Sequence, residues 1–413
     1  MDEKLGGIPL SPRAAARAAG ALIALRIGYA YNWFDIGPAL PSIGSKYGVG
    51  PADWGLLVAA FLVGAGLLQV PAGLLARRYG ARSVSLAGVA LLAVSAAACG
   101  LAPSFPILVL LRLVAGVGAA LFFSPAIGLM ASLYPPGRRG VPVGVFSSAF
   151  SVGSALGIVV TAFLIPPLGW QLSLVVGGAV LGVATVVSFV MVPSTVGAAP
   201  KAPTVPGPRV PAALRYRGVW AVGIAFVGLE GATFATGQFV VPWGESVQGW
   251  SIGLAGVVGM MFVLPSIAGG PIGGRVAERN RNHRTQFVVA MLAAAGALAL
   301  LPWAGLAVAL AAGTVFAFSY GIIYAVMYVL PHFWREVPPE EVPLAIGLFN
   351  SIQLAGGAGV SALFGVIVAT HSYAVAWEVL PLVMLATLVA LVGLPATPAA
   401  PVGPPVVEGS DRR

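Results

Sequence analysis

Ionisable side chains inside long apolar stretches are the residues of this chain best suited to chemistry. The clearest are Arg26 and Asp35 in the first stretch, Arg112 in the fourth and Glu230 in the seventh. A charge in such surroundings is costly, and it commonly marks an ion or substrate pathway. A carboxyl group there takes up a proton readily, and an arginine offers a fixed positive charge to an anion. These residue types therefore predict proton transfer and anion binding.

The two buried carboxyl groups are the candidates for proton coupling. Glu230 is the first, because it lies nearest the centre of its stretch and has no obvious partner in the sequence. Asp35 is the second, and it lies roughly 10 Å to one side of the centre of its stretch, at a rise of about 1.5 Å per residue. For Glu230 an alternative stays open, namely a carboxyl group that is hydrogen-bonded to a neighbouring helix.

Six polar or charged residues are candidates for binding a substrate. Arg26 can pair with an anion, or it can extend its long side chain to the nearer membrane surface. Arg112 is a second possible counter-charge. The other four are neutral side chains at one-turn spacing from further polar groups, a spacing that places them on one helix face and that helix packing can also explain. The six are Arg26, Asn32, Arg112, Tyr324, Asn350 and Gln353.

The sequence lacks the patterns of metal binding and covalent catalysis. Its single cysteine, Cys99, lies in an apolar stretch, and the histidines His283, His332 and His371 are scattered. There is no nucleophile and base at a recognisable spacing and no phosphate-binding glycine motif. We therefore predict no metal, no cofactor and no enzymatic activity.

The elements that must position these side chains are membrane-spanning helices. The chain is 58% hydrophobic and only 8% charged, whereas soluble domains carry about 25% charged residues. One crossing needs roughly 20 apolar residues, and continuous apolar runs argue against a β-barrel. The sequence thus predicts an all-α integral membrane protein with twelve transmembrane helices near residues 17–40, 54–76, 84–102, 105–133, 141–165, 172–192, 219–241, 252–271, 287–301, 303–330, 344–369 and 373–394.

The basic residues predict the orientation in the membrane. All of the 22 Lys and Arg residues except Arg26, Arg112 and Lys46 fall in the termini or in alternate loops. By the positive-inside rule those loops and both termini are cytoplasmic. Net charge +9 is then an orientation signal, and the chain lacks the folded basic patch that nucleic-acid binding would need. We expect a multi-pass protein of the plasma membrane, with the lipid bilayer as a partner and no nucleic acid.

A proline-rich segment divides the chain into two halves. Six predicted helices in residues 1–192 precede the segment at residues 193–217, and six in residues 218–394 follow it. The segment is polar and reads as a cytoplasmic linker. Residues 395–413 form a second proline-rich stretch, which is interpreted as a disordered cytoplasmic tail.

A short basic turn occurs once in each half, after the second and the eighth predicted helix. Both copies begin Gly-x-x-Ala and continue with charged residues. Such a turn at equivalent places indicates a duplicated six-helix unit. The residues concerned are Gly73, Arg77, Arg78, Gly80 and Arg82 in the first copy and Gly274, Glu278 and Arg279 in the second.

Together these features resemble the major facilitator superfamily of secondary transporters. The resemblance covers nearly the whole chain and includes the turn Gly73–Arg82, the stretch 112–120 that begins Arg-Leu-Val-Ala-Gly, and the loop at residues 133–140. One departure is Arg77, which stands where the family usually has an aspartate. The resemblance implies that the basic turns gate the cytoplasmic face. It also implies that the first and fourth helices are neighbours, so that Asp35 and Arg112 form an ion pair, either structural or coupled to transport.

The resemblance further implies alternating access, with the two halves rocking about a central site. We expect a proton-coupled transporter that acts as a monomer on a small organic anion or metabolite, with Arg26 or Arg112 as counter-charge. An alternative is the efflux of drugs or amphipathic compounds, although the Gly-Pro motif of drug–proton antiporters is absent because Ser154 follows Gly153. A non-transporting receptor or scaffold is the remaining alternative, and it would not require Glu230 and Asp35.

Overall fold

The computed structural model describes residues 11–135, 138–197, 212–279, 282–334, 336–338 and 341–393. Within these ranges the secondary structure is helical, without a strand. Most of the linker that the sequence predicts, residues 198–211, and the tail from residue 394 onward lie outside the described residues.

The described part of the first half contains seven α-helices. Helix α1 is capped by Ser11, whose side chain accepts a hydrogen bond from the Ala14 amide, and it has a proline in its first turn. A 3-10 segment at Gly37–Ala39 follows α1. The helices are α1 Pro12–Phe34, α2 Leu40–Tyr47, α3 Pro51–Leu67, α4 Gln69–Tyr79, α5 Ala81–Gly100, α6 Phe105–Ser132 and α7 Gly140–Met191.

Among the described residues of the second half there are eight α-helices, several of which begin at a polar cap. The Ser251, Asn282 and Ser372 side chains each accept a hydrogen bond from a backbone amide three residues later. The helices are α8 Ala212–Arg215, α9 Arg217–Ser246, α10 Ile252–Met261, α11 Ser266–Arg279, α12 His283–Ala299, α13 Leu306–Val329, α14 Val342–Thr370 and α15 Tyr373–Leu388. Pro302 lies in a 3-10 segment between α12 and α13, so it separates two helices.

The number of helices long and apolar enough to cross a membrane is consistent with the predicted twelve. Nine such helices occur among the described residues, and the pair α3 and α4, bent by 45°, supplies a tenth. Helix α7 has 52 residues and a non-helical Gly169, with φ 76°, in its middle. At about 1.5 Å per residue it is long enough for two crossings. Helix α1, with 23 residues, completes the count when it is included.

Several predicted helices are interrupted. The apolar stretch 17–40 is split, because α1 ends at Phe34 and Pro38 lies in the 3-10 segment that follows. The stretch 54–76 is broken at Leu68, between α3 and α4. The stretch 252–271 is broken between α10 and α11. These breaks place polar residues and helix ends inside the bundle rather than at its surface.

The helices pack in two sets that correspond to the two halves of the chain. In the first, α1 contacts α7, and α6 packs between α3 and α5. Close approach there requires glycine, because a Cβ on Gly118 would lie 2.6 Å from the backbone nitrogen of Leu92. In the second, α9 contacts α14 and α15, and α13 contacts α11 and α12. The halves meet through α3 with α14 and α7 with α10.

The two ends of the bundle differ in charge. We call the end that carries the α4–α5 and α6–α7 junctions the basic end, because Arg78, Arg82, Arg138 and Arg139 lie there. The opposite end carries α2 with Lys46, the turn at Gly169 and the α9–α10 junction. The cytoplasmic side that the sequence predicts corresponds to the basic end.

Candidate functional site

Two adjoining cavities lie between the halves. The larger, of about 550 Å³, extends from the middle of the bundle toward the basic end, where the first turns of α7 line it. The smaller, of about 30 Å³, lies beyond it toward the opposite end. Six side chains line both cavities: Arg26, Phe123, Phe150, Tyr320, Tyr324 and Tyr328. The candidate site is therefore the layer of residues at which the two cavities meet.

Arg26 contributes the positive charge of this layer. Its side chain is only 4% exposed, and its guanidinium carbon lies 4.4 Å from the ring centroid of Phe123 and 4.7 Å from those of Tyr29 and Phe150. These rings hold the cation by cation–π contacts. The buried Nε and Nη1 atoms have no hydrogen-bond partner, and no carboxylate within the described ranges pairs with them. Arg26 is thus a buried cation that faces the cavities and does not extend to the surface.

Glu230 contributes the carboxyl group of the smaller cavity. It lies in the middle of α9 and is 5% exposed. The Tyr320 hydroxyl, from α13, donates a hydrogen bond of 3.1 Å to Glu230 Oε2. The sequence left open a carboxyl group bonded to a neighbouring helix, and the structure has that bond. The same carboxyl group also lines the cavity.

A hydrogen-bonded chain of neutral side chains continues from the tyrosines to α14. The Tyr324 hydroxyl donates to the Tyr328 hydroxyl at 3.0 Å, and Tyr328 donates to Asn350 Oδ1 at 2.8 Å. Gln353 Nε2 donates to the same oxygen at 2.7 Å. The sequence candidates Tyr324, Asn350 and Gln353 are therefore brought together with Arg26 and Glu230 at one site.

The remaining candidates form a separate cluster within the first half. Arg112 Nη1 lies 3.6 Å from Asp35 Oδ1, and both side chains are almost fully buried. Arg112 Nη1 also donates to the Asn32 carbonyl oxygen at 3.2 Å. The guanidinium carbon lies 4.5 Å from the centroid of the Phe61 ring. Neither cavity is lined by Asn32, Asp35 or Arg112.

An aromatic contact joins the halves on the far side of the smaller cavity. The Phe34 ring stacks on Phe234 at 5.3 Å between centroids, and Trp33 stacks on the same ring at 5.5 Å. Gln238 Nε2 donates a 2.8 Å hydrogen bond to the Trp33 carbonyl oxygen. We call Trp33, Phe34 and Phe234 the aromatic seal. In this form the halves are packed together at the opposite end, and the large cavity lies on the basic side.

The sequence did not predict the aromatic rings around Arg26, nor that Gln69 lines the smaller cavity. Tyr29, Phe123 and Phe150 are ordinary apolar residues in the sequence, and only helix packing places them around the guanidinium. Gln69 lines the smaller cavity and is 3% exposed, because it begins α4 at the break after α3. A polar residue inside a long apolar stretch was the one signal that pointed to it.

In the basic turn of the first half, Arg82 is bonded to its own half. Arg82 Nε donates to the Val192 carbonyl oxygen at 2.8 Å, and Arg82 Nη2 donates to that of Phe189 at 2.7 Å. Arg82 thereby covers the C-terminal carbonyls of α7, where a cation is favourable. Arg77 and Arg78 are exposed at the basic end. In this form both of these hydrogen bonds of Arg82 stay within the first half.

The second copy of the turn ends α11. A Cβ on Gly274 would have nothing within 4 Å. Gly274 is therefore not required for close packing in this form. The side chains of Glu278 and Arg279 lie outside the described residues, so their predicted role is untested. Within the described ranges no group of three or more His, Cys, Asp or Glu is placed to hold a metal ion.

Replacement of Gly80 by alanine is expected to destabilise the protein. Gly80 joins α4 and α5 with φ 89° and ψ 141°, a conformation that L-residues rarely adopt and that costs about 1–3 kcal/mol with a side chain. Gly73 is the matched control, because it is helical and a Cβ there has nothing within 4 Å. We expect a lower melting temperature in detergent for Gly80→Ala and no loss for Gly73→Ala. Equal melting temperatures would contradict this account.

Comparison with known proteins finds a match to one family model and similarity to individual transporters. The sequence model of the Major Facilitator Superfamily matches residues 22–334. A tetracenomycin C resistance and export protein of Streptomyces glaucescens is 29% identical over 153 residues, which are 36% of this chain and 28% of that protein. A gallate transporter of Pseudomonas putida is 30% identical over 151 residues, 36% of this chain and 34% of that protein. The matches thus span about a third or less of these relatives.

A solved structure is similar over nearly the whole chain. It is a bacterial homologue of the human lysosomal transporter Spinster in an inward-facing, unoccupied conformation. The TM-score is 0.70, the sequence identity is 20%, and the match covers 93% of this chain and 96% of that chain. At this identity the similarity shows the fold, and it says nothing of the substrate.

Proposed function

Since the chain belongs to the major facilitator superfamily, we propose that it is a proton-coupled secondary transporter that moves a small organic anion across the plasma membrane. The halves 1–192 and 218–394 rock about the site between them, and the segment at residues 193–217 links them. The monomer is the functional unit, and both termini are cytoplasmic, which makes the basic end the cytoplasmic end. In this orientation the present form faces inward.

The observation that supports an anionic substrate is the state of Arg26. Its guanidinium is buried between the halves, has unpaired Nε and Nη1 atoms and meets no carboxylate from the described part of the chain. An uncompensated buried cation is costly. A substrate anion that binds beside Arg26 would supply the missing counter-charge and offset that cost. Arg112 is the less suitable counter-charge, because it pairs with Asp35 outside both cavities.

Glu230 is the proposed coupling group, because it lines the same cavity as Arg26. When Glu230 is ionised, a substrate anion meets a second negative charge at the site. When Glu230 is protonated, the anion and Arg26 neutralise each other and the loaded site carries no net charge. Enclosing a neutral site between the halves, away from water, is less costly than enclosing a charged one. Anion and proton therefore travel together.

Asp35 and the basic turns have secondary roles in this proposal. Asp35, paired with Arg112, is the second coupling candidate. The turns form the gate at the basic end. Arg77 and Arg78 are exposed at that end, and the halves would approach each other there on closing. Arg82 fixes the start of α5 to the end of α7, so that the turn moves with its own half.

Efflux of amphipathic compounds is the second candidate function. The larger cavity, of about 550 Å³, is of the size that holds drug-like ligands, and one relative is an export protein. The two functions differ in what they require of Arg26. An organic anion needs the positive charge of Arg26. A cationic compound would be repelled by that charge, and the binding of a neutral compound would not depend on it.

The deciding experiment uses purified protein in proteoliposomes. A panel of radiolabelled carboxylates that includes gallate is offered at an outside pH one unit below the inside pH. Protein-free liposomes measure the passive entry of the undissociated acid, which is subtracted. We expect accumulation above that background, and its loss when a protonophore collapses the gradient. Accumulation that survives collapse would contradict proton coupling, and transport of cationic dyes without any carboxylate would favour efflux.

A further inference from the structure

The two cavities that meet at Arg26 differ in chemical character. The smaller, of about 30 Å³, has room for a water-sized polar group. Its lining includes buried donors without partners, namely Arg26 Nε and Nη1 and Trp33 Nε1. One unpaired acceptor, Gln353 Oε1, also lies there and suits a hydroxyl or a protonated group. The Glu230 carboxyl group also lines this cavity. When it is protonated, as in the proposed function, the unpaired donors predominate and favour an anionic head group.

The larger cavity offers no further charge to a ligand. Among the described residues that line it, Arg26 is the only charged one, and the rest are aromatic, aliphatic, glycine or serine. A second carboxylate on the ligand would lose its hydration and find no cation there. The cavity therefore favours an anion with a single charge.

Aromatic side chains form two facing walls of the larger cavity. Phe123 and Phe150 come from the first half, and the tyrosines of α13 come from the second. Tyr324 lies 4.6 Å from Tyr328 and 5.6 Å from Tyr320, between ring centroids, in tilted arrangements. Aromatic rings favour offset-stacked and edge-to-face contacts with one another. A planar aromatic body would make such contacts with both halves at once.

We propose that the substrate is an aromatic monocarboxylate, with its carboxylate at Arg26 and its ring system in the larger cavity. This inference rests on the proposed function. It adds that the substrate carries a single negative charge and that the rest of the molecule is an aromatic ring system. The cavity of about 550 Å³ has room for a fused-ring body, which would contact more of the aromatic walls than a single ring. Small aliphatic acids would leave the aromatic walls without contacts.

Naphthalene derivatives test the charge and the body separately. Isothermal titration calorimetry on the full-length protein in nanodiscs measures 2-naphthoate, 2-naphthamide, 2,6-naphthalenedicarboxylate and decalin-2-carboxylate. We expect 2-naphthoate to bind at least tenfold more tightly than each of the others. Equal binding of the dicarboxylate or of the decalin acid would overturn the inference.

A failure of this inference can be distinguished from a failure of the proposed function. If the decalin acid binds as tightly as 2-naphthoate, and a pH gradient still drives carboxylate uptake, only the aromatic body is wrong. If 2-naphthamide binds as tightly as 2-naphthoate, and no carboxylate accumulates, then anion recognition is wrong and both proposals fall.

A pair of glycine variants tests where the rings lie. Gly270 lines the larger cavity, and a Cβ there has nothing within 4 Å, so Gly270→Phe would fill the cavity without a backbone clash. Gly296→Phe is the matched control, because Gly296 also has open space and lines neither cavity. We expect Gly270→Phe to weaken 2-naphthoate at least tenfold and Gly296→Phe to leave it unchanged. Unchanged binding in a folded Gly270→Phe protein would overturn the placement.

Discussion

Glu230→Gln is expected to abolish accumulation driven by a pH gradient and to leave substrate exchange intact. Glutamine has the shape of the protonated carboxyl group, and its carbonyl oxygen can still accept the hydrogen bond that Tyr320 donates to Glu230 Oε2. The fold and the anion site should therefore survive. What is lost is the group that releases the proton, so the protein becomes an exchanger.

The size of the effect follows from the energy of the gradient. One pH unit corresponds to about 1.36 kcal/mol per proton, or roughly tenfold accumulation of a substrate carried with one proton. In proteoliposomes at one unit of pH difference, the wild-type protein should approach this ratio and Glu230→Gln should stay near equality. Counterflow of labelled substrate, measured without a gradient, should be similar for the two proteins.

Two further variants make the result specific to Glu230. Glu245→Gln is the matched control, since Glu245 lies in the same helix near the opposite end and lines neither cavity. It should retain accumulation. Asp35→Asn tests the second coupling candidate, whose carboxylate pairs with Arg112. If Asp35→Asn stops accumulation while Glu230→Gln retains it, the coupling group is in the Asp35–Arg112 cluster, and our assignment is wrong.

Charge inside an apolar stretch was the signal that sequence reasoning could use. It identified Arg26 and Glu230, because a charged residue stands out against 20 apolar neighbours whatever the helices pack against. The spacing of Asn350 and Gln353, one turn apart, also placed them on one face, and the structure joins them through Nε2 and Oδ1. The helical membrane fold was predicted from the long apolar runs, and the family from the repeated turn and its position among those runs. The comparisons confirm both, and the prediction of no enzymatic activity agrees with that family.

The hydropathy pattern could not predict how each helix is rotated in the bundle or where a helix is broken. The Asn32 side chain donates hydrogen bonds to the carbonyl oxygens of Gly28 and Gly177, so it faces α7 and lines neither cavity. Which side each residue faces depends on contacts with α6 and α7, which hydropathy does not encode. The break at Leu68 brings Gln69 to the smaller cavity, although the stretch 54–76 reads as one continuous helix. The sequence could therefore name several of the residues that line the cavities, but it could not predict how the helices arrange them.

Arg26→Met is expected to remove anion binding without destabilising the empty protein. The guanidinium is 4% exposed and lies among aromatic rings, where a flexible apolar side chain packs well. Because the cation has no carboxylate partner among the described residues, its removal takes away a buried, uncompensated charge rather than one member of a pair. The melting temperature without ligand should be unchanged or higher.

Binding of a carboxylate substrate should instead fall steeply in the same variant. Losing the partner of a buried charge costs about 2–5 kcal/mol, which is at least roughly 30-fold in Kd. Arg26→Lys keeps the charge but loses the planar group that stacks on Phe123 and Phe150, so intermediate affinity is expected. Calorimetry with 2-naphthoate and melting curves of the empty proteins provide the two readouts. A lower melting temperature with retained affinity would show that Arg26 is a structural residue, and the anion site would have to be sought elsewhere.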